Sequence, residues 1–191
     1  GKFTNLNSLN WGTYVGGSSA ETFNDLEVFS DGRVAFCGFG VGSLTEVASA
    51  AGRSTGTDED GIIGILKADG SAFNYLDEIG GTGGDRINDL EIVNNLVYWT
   101  GVGASGFPVS GSGVYQSTYY GGISDVVLGK VGDTGGSGNY SATFYGTALK
   151  DIGSGIQLVS QTDCAGNSES IILIFGSTNS SGLPTVNING E

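Results

Sequence analysis

The chain has 191 residues, with 20 Asp and Glu against 7 Lys and Arg, no His, 36 Gly and 2 Pro, and a formal net charge of −13. That balance argues against binding nucleic acid through its phosphates, which takes clustered cations, and against an anionic membrane surface; without His there is no imidazole base or imidazole metal ligand. Glycine without a G-X-Y period is not collagen, and 38% hydrophobic with 14% charged residues is not a disordered chain, so the composition points to many short strands joined by tight turns.

The first residues, Gly1-Lys2-Phe3-Thr4-Asn5, lack the apolar core of a signal peptide. A start without Met fits a processed chain or an excerpt, and no apolar run reaches the 18 residues of a membrane span. Asn24-Asp25-Leu26-Glu27-Val28 alternates like a strand, Ser30-Asp31-Gly32 is a hairpin turn, and Val34-Ala35-Phe36-Cys37-Gly38 is the return strand. Cys37 in that apolar run reads as a small core residue. Residues 45–51 could form one helical turn at most. Asp60-Gly61-Ile62-Ile63 begins another strand.

The same series then returns. Asn10-Trp11 recurs as Asn74-Tyr75 and again as Asn139-Tyr140, Gly16-Gly17 as Gly80-Gly81, and Asn24-Asp25-Leu26-Glu27-Val28 as Asn88-Asp89-Leu90-Glu91-Ile92. Asn94-Asn95 is a two-residue turn, Trp99-Thr100-Gly101 matches Phe36-Cys37-Gly38, and Asp125-Val126-Val127-Leu128 matches Asp60-Gly61-Ile62-Ile63. Residues 132–138 are a turn cluster and 139–147 an alternating strand. In the third copy Gly155-Ile156-Gln157-Leu158-Val159 replaces Asp89-Leu90-Glu91-Ile92-Val93. Ile174-Phe175-Gly176 replaces Trp99-Thr100-Gly101 after an insertion at residues 160–170. The period predicts three four-stranded copies, residues 1–66, 67–129 and 130–191, with the first strand missing and eleven strands in all.

Repeated four-stranded units with Gly-rich corners predict an all-β fold of β-propeller blades. Trp11-Gly12-Thr13-Tyr14-Val15-Gly16-Gly17 and Ser117-Thr118-Tyr119-Tyr120-Gly121-Gly122 resemble the "sTYlGG" element of the SBBP repeat family of bacterial β-propellers. Ser124-Asp125-Val126-Val127-Leu128-Gly129-Lys130-Val131 resembles its "sDaFvaKl" strand, and Asp31-Gly32-Arg33-Val34-Ala35-Phe36-Cys37-Gly38 its "GnvYvtG" hairpin. Gly106-Phe107-Pro108-Val109 with Val114-Tyr115-Gln116-Ser117-Thr118 resembles its "FPtt…afqtty" connection. Copy one lacks the Phe-Pro, and copy three has Tyr145-Gly146-Thr147 where Gly-Gly is usual. The resemblance implies a toroidal propeller in a large secreted or cell-surface protein, of the kind found in gliding-motility and type IX-secreted proteins. It implies scaffolding and binding, with no catalytic residues to carry over. A propeller closes with about four blades or more, so three copies predict a segment of a larger ring, partnered by remaining blades, or a ring completed by a second chain.

Candidate chemistry is sparse. Thr57-Asp58-Glu59-Asp60-Gly61 is the densest acidic cluster and offers carboxylates to Ca²⁺ through Asp58, Glu59 and Asp60, but Asp60 recurs as Asp125 and no DxDxDG loop is present. Solvation or turn capping is the bland reading, with no cofactor required. Asp25, Asp89 and Asp151 follow the Gly-Gly corners and read as caps of turn amides. Asp77/Glu78 could mimic a glycosidase carboxylate pair, yet 20 acids in one chain make neighbours common. Aromatics such as Trp11, Tyr14, Tyr98, Trp99, Tyr115, Tyr119 and Tyr120 could stack on sugars, while recurrence of Trp11, Tyr75 and Tyr140 at the repeat period suits a core. Without His there is no Ser-His triad. The insertion at residues 160–170, read as a binding loop, is the one strongly unrepeated element, making Asp163, Cys164 and Asn167 the candidate binding residues. A Cys37–Cys164 disulfide is left open, because sequence places neither Cα. The expectation is a non-enzyme: an extracellular scaffold or binding module for a cell-surface protein or glycan, without nucleic-acid or membrane insertion. The alternative is part of a propeller hydrolase or lyase whose active site lies in other blades.

Overall fold

β-branched and aromatic residues alternating with polar ones, and punctuated by glycine, leave no long helical face to bury. The computed structural model describes residues 1–42, 44, 58–134, 139–162 and 166–183, and their regular structure is all β, in antiparallel sheets. A short hairpin pairs β1 (Lys2–Asn5) with β2 (Ser8–Trp11). The first four-stranded sheet is a meander of β3 (Glu21–Val28), β4 (Val34–Gly40), β5 (Asp60–Leu66) and β6 (Phe73–Ile79). The second repeats it with β7 (Arg86–Val93), β8 (Leu96–Gly103), β9 (Asp125–Gly132) and β10 (Ser141–Tyr145). A final hairpin pairs β11 (Asp151–Thr162) with β12 (Ser168–Thr178).

The repeat seen in the sequence is visible in backbone geometry. Asn94 and Asn95 take φ of 51° and 61°, as a tight two-residue hairpin requires, and Gly32 takes +90° at the equivalent turn. The strands β3, β7 and β11 bulge at the same place: between Phe23 and Asp25, Ile87 and Asp89, and Gly153 and Gly155. Opposite each bulge the partner strand carries a glycine, Gly38, Gly101 or Gly176. There a Cβ would collide with the carbonyl oxygen of Thr22, Arg86 or Ile152 respectively. The insertion therefore leaves the register intact across 75 residues, from Gly101 to Gly176.

Alternation sends successive residues of β4, β5 and β6 into two different cores. Ala35, Cys37, Ile63, Ile65, Tyr75 and Ile79 of the first sheet meet Ile87, Leu90, Val97, Trp99, Val127 and Tyr140 of the second in one buried cluster. Phe36, Ile62, Leu66 and Leu76 face the other way, into a smaller cluster with Leu44, Trp11 and Val15. The sheets stack in chain order: β7 contacts β3, β4 and β5, and β11 contacts β7, β8 and β9. Among the described residues this stack forms no closed ring.

Three expectations change. There are twelve strands among the described residues rather than eleven, because Lys2–Asn5 folds back on Ser8–Trp11. The insertion at 160–170 is mostly not a loop. It lengthens a hairpin, with Ser160 opposite Ser170, Gln161 opposite Glu169 and Thr162 opposite Ser168. Asp151 is also not the equivalent of Asp25 and Asp89, as the site geometry makes plain below. The predicted turn at 45–51 lies outside the described residues, as do residues 135–138 of the turn cluster at 132–138.

Candidate functional site

The polar residues of the Asn-Asp-x-Glu motif join one sheet to the next. On β3, Asp25 Oδ2 accepts from the Leu90 amide at 3.2 Å and Glu27 Oε2 from the Ile92 amide at 2.8 Å, while Asn24 Nδ2 donates to the Ile87 carbonyl at 2.9 Å. β7 repeats this toward β11. Asp89 Oδ2 accepts from the Ile156 amide at 2.7 Å, Glu91 Oε2 accepts from the Leu158 amide, and Asn88 Nδ2 donates to the Gly153 carbonyl at 2.7 Å. Edge amides that would otherwise need another strand are satisfied by carboxylates from the neighbouring sheet. By this register β11 carries Gly155 and Gln157 where Asp and Glu would stand, so the series of clasps stops there.

Packing these acids side by side perturbs them. Burial raises the Asp89 carboxyl above its ordinary value, and the hydrogen bond its protonated form donates to Asp25, together with the charge of Asp25, raises it further, against the Ile156 amide. Burial also raises Glu27, opposed by the Ile92 amide and reinforced by the charges of Glu91, Asp25 and Asp89. The motif was legible as a repeat, but Asp25 and Asp89 were expected to cap turns. The overlooked signal was spacing: Asp and Glu two apart on one strand face point the same way, which a single turn cap does not need.

The turn-capping role belongs to other acids. Asp85 is fully buried and accepts from the Gly81 amide through Oδ2 and the Ala104 amide through Oδ1, both at 2.6 Å. Asp151 Oδ2 accepts from the Thr147 amide at 2.9 Å, and Glu21 Oε1 from the Gly17 amide at 3.0 Å. All three reach back four residues at the start of β3, β7 and β11, so Glu21, Asp85 and Asp151 are equivalents. Burial pushes Asp85 up to about 6 against its two amide donors, with the charge of Asp58 adding to the rise.

The acidic cluster at 58–60 does not converge. Asp58 is exposed, Glu59 pairs with Arg86 through Oε2 and Nε at 2.8 Å, and Asp60 is buried at the head of β5. Among the described residues no group of three or more Asp, Glu, His or Cys is placed to hold a metal ion. Asp77 and Glu78 are both buried on β6 as consecutive residues, so they point to opposite faces and cannot flank one bond. Tyr75 donates to Asp77 at 2.9 Å, and Glu78 accepts from the Leu44 amide at 3.1 Å. Tyr75, Trp99 and Tyr140 are core residues, the last two stacked at 6.3 Å between centroids. In the insertion Asn167 is exposed, whereas Asp163 and Cys164 lie outside the described residues. Cys37 is buried with a free thiol, which burial pushes upward.

An open apolar surface lies at the first sheet. Trp11, whose Nε1 donates to the Ala68 carbonyl at 3.1 Å, joins Tyr14 and Val15 in facing Phe23, Leu26, Val28, Val34 and Phe36 across a cavity of about 470 Å³. Leu26, Val28 and Tyr14 are exposed there. The face is contiguous and largely apolar. Compared with models of known protein families and with curated proteins, the chain finds no match.

Proposed function

We propose that the chain is a non-catalytic stack of SBBP-type propeller blades, acting as a scaffold or binding module for a protein or glycan at the surface of a bacterial cell. The observation that carries this reading is the repeated clasp. Asn24, Asp25 and Glu27, then Asn88, Asp89 and Glu91, use the same side chains to join successive sheets, an arrangement suited to building an extended scaffold. The four clasp carboxylates, of Asp25, Glu27, Asp89 and Glu91, are engaged as acceptors for backbone amides, which suits a structural role. The apolar, aromatic-lined cavity beside Trp11 and Tyr14 favours a protein surface over a polar substrate.

The test is a screen of the purified chain against polysaccharides, reading both retention and new reducing or unsaturated ends. The expected result is no new ends under any condition. Turnover that survives repurification and disappears with a single carboxylate substitution would overturn the non-catalytic reading.

A further inference from the structure

The internal repeat provides its own control for what the open face of β3 lacks. Phe23, Leu26 and Val28 are the equivalents of Ile87, Leu90 and Ile92, each 64 positions later. Leu90 is 3% exposed and Ile87 0%, and Ile92 packs against the core, because β3, β4 and β5 cover them. Leu26 is 62% exposed, Val28 61% and Phe23 40%. Apolar residues at three repeat positions are thus covered in the second sheet and open in the first.

The polar half of the interface has the same asymmetry. The amides of Leu90 and Ile92 donate to Asp25 and Glu27, and those of Ile156 and Leu158 to Asp89 and Glu91. The equivalent amides on β3 are those of Leu26 and Val28, and the equivalent carbonyl is that of Phe23. The carboxylates of β3 and β7 are already engaged, and β11 has Gly155 and Gln157 at the two acidic positions. A second copy docking through β11 would therefore bring no carboxylate to this face.

We infer that the β3 face, with the 470 Å³ cavity beside it, docks a separate strand of the same repeat chemistry, one bearing Asn-Asp-x-Glu. Its Asp and Glu accept from the Leu26 and Val28 amides, its Asn donates to the Phe23 carbonyl, and its apolar residues fill the space against Leu26, Val28 and Trp11. This rests on the scaffold reading above and names the partner that such a scaffold takes.

The test uses the full chain and a synthetic peptide of residues 84–104, which carries Asn88-Asp89-Leu90-Glu91 in its native hairpin sequence. Amide NMR of the isotope-labelled chain is expected to give saturable shifts at Leu26 and Val28 and none at Leu90. A peptide with Asp89→Ala and Glu91→Ala is expected to bind at least tenfold more weakly. Leu26→Asp in the chain, at an exposed position that leaves the circular dichroism unchanged, is expected to abolish binding. Absence of saturable binding, equal binding of the two peptides, or shifts centred on another surface would each overturn the inference. So would a dimer in sedimentation that Leu26→Asp dissolves, since that assigns the face to a second copy. These failures leave the non-catalytic reading standing, whereas polysaccharide turnover would remove that reading without touching the docking result.

Discussion

Leu26 and Leu90 make a matched pair for measuring how much one sheet stabilises the next. Both are leucines on the edge strand of a four-stranded sheet, 64 positions apart, in the same motif. Leu90 keeps 3% of its surface and Leu26 62%. Truncation of Leu90 to Ala loses nearly all the transfer free energy of the removed carbons and leaves a cavity against Trp99 and its neighbours, about 3–4 kcal/mol. Leu26→Ala removes a side chain with little more than a third of its surface covered, which scales to about 1 kcal/mol or less. With a urea slope of about 2 kcal/mol per molar, the Leu90→Ala midpoint falls by about 1.5–2 M and that of Leu26→Ala by about 0.5 M or less. Equilibrium urea unfolding of the two variants, followed by tryptophan fluorescence, reads both numbers from one fit. Equal shifts would refute the stacking of β3–β5 over β7, because that stacking is what buries Leu90 and has no counterpart over Leu26 among the described residues.

Acidity gives a second prediction. Asp85 titrates near 6 in the folded chain and near 3.9 when unfolded, so between about pH 4 and 6 the folded chain keeps a proton that the unfolded chain has released. Stability therefore falls as pH rises through that window, by about 3 kcal/mol, with Glu27, Asp89 and Asp125 contributing in the same direction. Thermal midpoints from pH 4 to 7 check the sign, and Asp85→Asn flattens the slope; a midpoint that climbs from pH 4 to 6 contradicts it. Gly101→Ala drives a methyl group into the Arg86 carbonyl at a bulge with no room to shift, costing about 3 kcal/mol or more, seen as loss of a cooperative transition or a sharply lower midpoint. Asn95→Gly keeps the left-handed turn at φ 61° without a Cβ and is expected to raise stability by up to about 1 kcal/mol in the same urea assay.

Local chemistry made much of the architecture legible. The turn at Asn94-Asn95, the strand at Asp125–Gly132 and the glycines at 38, 101 and 176 follow from backbone preferences and close approaches that neighbouring residues already specify. The binding candidates were less legible. Residues 160–170 read as a loop because Ser, Gln, Thr, Asp and Gly dominate them, yet backbone pairing across the hairpin carried the strands onward through those polar side chains. Asp25 and Asp89 read as turn caps because a carboxylate bonds whatever amide is nearest. The nearest amide turned out to belong to another sheet.

By itself, the sequence determined the repeat, its register and its all-β character, since alternation, turn residues and tight glycines act over a few positions. Only the tertiary structure decided what the repeated residues do. Leu26 and Leu90 are the same residue in the same motif, and nothing local separates them. One is buried and the other open because burial and amide satisfaction depend on which sheet stacks on which, a relation between parts of the chain 64 residues apart.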